Sequence, residues 1–294
     1  MKRFMTIGLA ALAAGVWLAG PALAAGHRNV LPEGARAAPE GRAVVVLTPQ
    51  AELSSNINPS MVDVAMGGGV LGVLIDAKID SDRSKKAESL ITPIRASLHD
   101  FDADQLAIDS IHAAVEGVPW FQAKAEAFGR DNSPPAKSDM LTASAAGQVA
   151  FFECIYDTAP DFGSIRVAVT FSLANKAAPA GAKPESRLSG KNLVFVQTVT
   201  SVVQLDNPGA ADANAARWSA NGGALARKAL ALAFADAGSL VPRALVLTDD
   251  DVKRMGANGE RKTIAHVSGR SQEEGPDGTL LFNGGLIHVQ TLKE

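Results

Sequence analysis

The stretch AVVVLTPQAELSSNINPSMVDVAMGGGVLGVLIDAKIDSDRSKKAESLITPIRASL, residues 43–98, holds the clearest order in the chain. Val44-Val45-Val46-Leu47 is a short continuous apolar run, the mark of a buried strand. A loop follows from Thr48 to Pro59. Ser60 and Asp63 then stand at capping-box spacing after the breaker Pro59, which opens a helix. Val62, Ala65, Met66, Gly69, Val73 and Ala77 recur at intervals of three and four, and Lys78, Asp82, Lys85 and Lys86 supply a polar side. The spacing predicts a helix over 60–98, kinked or restarted at Pro93 with Thr92 as the new cap.

Gly67, Gly68 and Gly69 run against that pattern, because each glycine in a helix interior costs about 1 kcal/mol relative to alanine. The physical motive for such a run is close approach of a second backbone. Gly67–Gly69 and Gly72 are therefore expected at a tight packing contact. The other reading is a partner or membrane contact through Gly67–Leu74. Asp63 and Asp76 bracket only about a dozen apolar residues, whereas a spanning helix needs about 20, so membrane insertion is not expected.

The first residues have the form of an export leader. Lys2 and Arg3 precede an apolar run from Met5 to Gly20, and Ala22-Leu23-Ala24 is a small-residue cleavage site after Pro21. Residues 1–24 are expected to be a signal peptide cut after Ala24, which sends the protein to the periplasm or outside the cell. Residues 25–42 form a flexible Gly/Pro/Ala/Arg lead-in. Losing Lys2 and Arg3 takes the formal charge from −3 to −5. No basic stripe is present, so nucleic acid is not an expected partner. Cys154 is the one cysteine, so no internal disulfide forms, and in the run Phe151–Tyr156 it is expected to be a buried, inert thiol.

Further along, Asp100, Asp102 and Asp104 alternate as in a calcium loop, but Gln105 and Ile111 stand where that loop needs glycine and glutamate. They are expected instead to charge the start of a helix over 103–115. A short helix over 119–128 and a loop over 130–138 come next. Gln148–Tyr156, Ser164–Leu173 and Asn192–Leu205 read as an antiparallel meander, with Val194, Val196, Thr198, Thr200, Val202 and Gln204 on one side of the last strand. Residues 174–191 are a long connection. A helix over 212–240 is interrupted at Gly222-Gly223 and ends at Gly238. A short strand, 244–247, precedes a helix opened by the Thr248–Asp251 capping box. Short strands at 261–268, 279–283 and 286–292, joined by Gly275–Gly278 and Asn283-Gly284-Gly285 turns, make a small C-terminal β-meander.

The expected fold is α+β: an antiparallel-rich sheet over two long helices, spanning 43–257, with the meander at 258–294. The order strand, long helix, strands, helix is similar to periplasmic α/β sandwich modules of outer-membrane secretion and envelope-assembly factors. That likeness lies in element order and carries over no residue.

The chemistry-bearing patterns are sparse. Metalloprotease, nucleophile-elbow and P-loop motifs are missing, and His27, His99, His112, His266 and His288 are scattered with no metal-ligand spacing. Neither a metal nor a cofactor is expected. The reading is an exported, non-enzymatic binding or envelope-assembly and maintenance protein, whose partner is an envelope protein or a second copy of itself. Two alternatives stand beside it: a hydrolase with a site assembled from distant residues, and a membrane-associating oligomeric factor acting through Gly67–Leu74.

Overall fold

The computed structural model describes residues 29–38, 40–55, 70–176, 188 and 192–293, and of residues 70–83 the backbone alone. The leader, the start of the helix expected at Ser60, and Gly67, Gly68 and Gly69 lie outside the described residues. Gly72 falls on the described backbone of a helix.

Among the described residues ten strands form one sheet. They are β1 (Arg42–Leu47), β2 (Ser54–Ser55), β3 (Ala123–Gly129), β4 (Gln148–Thr158), β5 (Ser164–Asn175), β6 (Leu193–Leu205), β7 (Arg261–Ile264), β8 (Val267–Gly275), β9 (Gly278–Phe282) and β10 (Leu286–Leu292). Their order is β3-β1-β4-β5-β6-β10-β9-β8-β7, with β2 beside β4. The class is α+β, but the sheet is mixed rather than antiparallel-rich. β1 runs parallel to both β3 and β4, β2 parallel to β4, and β10 parallel to β6. The reason is topological: β1 reaches β3 through a long, mainly helical crossover, and β6 reaches β10 through two helices and then β7–β9, and such long connections let the chain return in the same direction. The expected meander β4-β5-β6 is present and antiparallel throughout. The C-terminal meander joins the same sheet through β10.

Among the described residues six helices accompany the sheet: α1 (Glu33–Arg36), α2 (Val70–Ser97), α3 (Ala103–Glu116), α4 (Pro134–Ala143), α5 (Ala211–Leu245) and α6 (Asp249–Ala257). The expected cover of two long helices is thus three on one face: α2 and α3 pack on α5, and α5 lies on β5 and β6. Val44, Val46, Phe152, Cys154, Val167, Val169, Phe195 and Val203 point into this layer. On the other face Val45, Leu47, Val149 and Phe151 meet Leu141 of α4. Farther along that face, Ile264 and Val267 of the β7–β8 hairpin fold over Val202, Ile287 and Val289.

Several local readings are corrected. Pro93 sits inside α2, which continues to Ser97. Thr92 caps nothing; its hydroxyl donates back to Glu88 O, 2.7 Å away. Residues 123–129 are an edge strand, not a helix. Their Ala/Lys/Glu composition suits a helix, but pairing with β1 overrides that preference, and lysine, glutamate and a β-bulge blunt the exposed edge. The supposed loop at 130–138 opens α4: the Ser133 hydroxyl accepts from Ala136 N, and Pro134 takes the first helical position, where no N–H is needed. The strand expected at 244–247 is the end of α5 and its cap.

The kink in α5 was legible. Asn221, Gly222 and Gly223 all have positive φ. A Cβ on Gly223 would stand 2.6 Å from Ser97 Oγ, so glycine lets α2 end against the bend. Arg227, just past it, donates to Ser97 O and pairs with Asp100. The first part of α5 is pinned separately: the Trp218 indole donates to Phe162 O (2.6 Å), and Asn214 bonds Asp161 O and both backbone groups of Gly209.

On β6 the core side is Phe195, Gln197, Val199, Ser201, Val203 and Leu205, while Val194, Val196, Thr198 and Thr200 are half-buried on the other side. Val196→Asp is therefore expected to cost about 1 kcal/mol, within reach of a thermal melt. A cost as large as that of a fully buried charge would show that a further layer covers this face.

Candidate functional site

Two adjoining depressions flank α5, and both use Ser239. One is a cleft of about 250 Å³ between α5 and the β8–β9 hairpin, where Asp236, Arg243, Glu273, Asp277 and His288 converge. The other is a groove of about 440 Å³ between α3 and α5, lined chiefly by Leu106, Ala113, Ala114, Phe234, Ala235 and Pro242.

The groove follows from small residues where two helices cross. A Cβ on Gly238 would lie 2.4 Å from Ser110 Oγ and 2.8 Å from Ser110 O, so only glycine admits α3 this closely. Ser110 Oγ donates to Phe234 O at 2.6 Å, which ties the crossing. Gly238 was expected to end the helix; it holds the contact instead. Around the crossing, Ala113, Ala231 and Ala235 are too short to fill the space between the helix ridges. Asp109, Ser110 and Ser239 place polar groups among these apolar walls.

In the cleft, His288 Nδ1 lies 2.9 Å from both Asp236 carboxylate oxygens, each side chain about four-fifths buried. The Asp236 carboxylate holds the imidazole above its ordinary range, outweighing burial. The other ring edge turns towards β9, since a Cβ on Gly278 would stand 2.7 Å from His288 Nε2. Ser201 is His288's register neighbour on β6, so Ser, His and Asp do come together across the fold. Their geometry is not that of a nucleophile and its base. Ser201 Oγ is buried without a hydrogen-bond partner, and Ser239 Oγ donates to Asp236 O at 2.7 Å. The strand alternation places His288 on the helix face, but the sequence names no partner for it.

The other histidines among the described residues are dispersed. His112 bridges Glu126 and Glu116, and Glu126 above all raises its pKa. His266 Nε2 meets Asp161 Oδ2 at 3.0 Å. Burial pushes the Asp161 carboxyl up, but His266 and the Gly163 N–H outweigh it and hold it below the usual carboxylate range. Asp102 caps α3 by accepting from Gln105 N, and Asp104 takes a hydrogen bond from Thr48 and an ion pair from Arg130. The acidic triplet Asp249–Asp251 opens α6, and Asp251, bonded by Thr248 and Arg254, falls to about 2. Among the described residues no group of three His, Cys, Asp or Glu side chains is placed to hold a metal ion. Cys154 is buried, and burial pushes its thiol up to about 12, a state without nucleophilic character.

No family model matches the chain, and no curated protein matches it. Among solved structures, a point variant of the PelC dodecamer from Paraburkholderia phytofirmans is 14% identical, with 69% of this chain and 90% of that one covered and a TM-score of 0.25. A second PelC dodecamer structure from the same organism is 12% identical, with 72% and 93% covered and a TM-score of 0.25. Likeness at that score assigns neither fold nor function to this chain. Among the described residues no single helix is long and apolar enough to cross a membrane.

Proposed function

We propose that the protein is an exported, non-enzymatic binding protein of the cell envelope, acting in assembly or maintenance, and that the α3–α5 groove is where it binds. The supporting observation is the groove itself, an open apolar channel with a few polar groups, the usual make-up of a site for an apolar ligand or segment. Export rests on the leader pattern of residues 1–24. The hydrolase alternative has one observation in its favour, the His288–Asp236 pair, and among the described residues no hydroxyl is bonded to that histidine. The alternative acting through Gly67–Leu74 depends on Gly67–Gly69, which lie outside the described residues, and on 70–74, of which the backbone alone is described.

The test is titration with the apolar fluorophore 1-N-phenylnaphthylamine. Wild type is expected to bind it saturably. Ala235→Trp, which fills the groove, is expected to weaken binding about tenfold or more, with unchanged melting; one pocket-filling clash of 1–3 kcal/mol is enough. His288→Gln, in the neighbouring cleft, should leave binding intact. Saturable binding untouched by Ala235→Trp would place the site elsewhere, and no binding would remove the groove from the account.

A further inference from the structure

The C-terminal unit β7–β10 carries two histidines, His266 and His288, and each is bonded to an aspartate of the body that precedes it. His288 reaches up from β10 to Asp236 on α5. His266 sits at the tip of the β7–β8 hairpin, whose apolar residues pack on the opposite face, and reaches Asp161 in the β4–β5 turn. The backbone seam between unit and body is one parallel ladder, Ile287–Leu292 along Thr200–Leu205. Gln204–Thr291, Lys228–Lys293 O and Arg243–Glu273 cross the same seam.

We propose that this seam is a pH-responsive joint, held by the His288–Asp236 and His266–Asp161 clasps and loosened when His288 loses its proton. Both clasps join the same two parts of the chain, so both act on one boundary, and His288 is the group that makes it respond to pH. His288 faces Asp236 and Arg243 from α5, Glu273 and Glu274 from β8, and Asp277 from the β8–β9 turn. The carboxylates favour the imidazolium, and Arg243, paired to Glu273, opposes it. A histidine whose pKa rises on folding contributes fully at pH values below its unfolded pKa. That contribution is lost as pH rises through the folded pKa. The neutral ring keeps a plain hydrogen bond to Asp236 and loses the charge-assisted part.

Amide hydrogen exchange on the intact chain across pH 5.5 to 9, corrected for intrinsic exchange, tests this. Protection of the β10 amides is expected to fall about fivefold as His288 deprotonates, the loss of about 1 kcal/mol of charge assistance. The β4 and β5 amides should hold their protection. His288→Gln and Asp236→Asn should each give low β10 protection with a flattened pH profile. His266→Gln, at the more exposed clasp, keeps the test open if the buried variants fold poorly, and should lower β10 protection at every pH while leaving the pH response in place. A flat wild-type β10 profile, a parallel loss in β4, an unchanged profile in His288→Gln and Asp236→Asn, or unchanged protection in His266→Gln would overturn the joint.

Discussion

Val167→Asp is expected to unfold most of the protein at room temperature, or to lower its stability by about 4 kcal/mol or more. Val167 is wholly buried on the helix face of β5, the central strand of the meander, beneath α5. The nearest charged side chains on β5 and β4, Arg166 and Asp157, are already paired with each other on the opposite face. A carboxylate at 167 would have no cation within reach, and an uncompensated buried charge costs several kcal/mol. Denaturant unfolding followed by circular dichroism measures the loss. Wild-type stability in this variant would mean that α5 does not seal the sheet.

The second large effect is expected at Arg42, a fully buried arginine at the start of β1. Its guanidinium donates to Ala35 O, Arg36 O, Trp120 O and Phe121 O, at 2.6 to 3.1 Å, and lies over the rings of Trp120 and Phe121. No carboxylate is among these partners; carbonyl dipoles and ring faces hold the charge. Arg42→Met keeps the stem's bulk and leaves four carbonyls without their donor, at about 1 kcal/mol each or more. A loss of about 3 kcal/mol or more is expected, with the 29–38 segment freed first. Proteolysis should then cut near Arg36 well before the core unfolds. A small loss with no new cleavage site would show that these carbonyls find other donors.

Arg42 shows where the sequence was legible and where it was not. Alternation exposed β5, and a continuous apolar run exposed β1, because their burial is written in neighbouring residues. Nothing local marks an arginine whose four partners lie on two segments, the one just before it and one 78 residues and more away. Local preference misled at 123–129, where alanine, lysine and glutamate read as helix yet a free edge beside β1 wanted a strand. It misled again at Ser133-Pro134-Pro135, which opens a helix as readily as it makes a turn. Gly238 looked like a stop, but its role depends on Ser110, more than a hundred residues away. The same holds for the site. His288 and Ala235 are ordinary residues in ordinary periodic patterns, and the partners that give them meaning, Asp236 across to β10 and α3 beside α5, are set by packing alone. The capping box at Thr248 and the Gly-Gly break in α5 were readable because cap and kink are local physics.

The central claim is that the α3–α5 groove binds an apolar ligand, and amide chemical-shift mapping with 1-N-phenylnaphthylamine tests it most directly. The amides that move on titration are expected to cluster on Leu106–Ala114 and Ala231–Pro242, and Ala235→Trp is expected to abolish their movement. Shifts confined to other elements, or shifts that persist in Ala235→Trp, would contradict it.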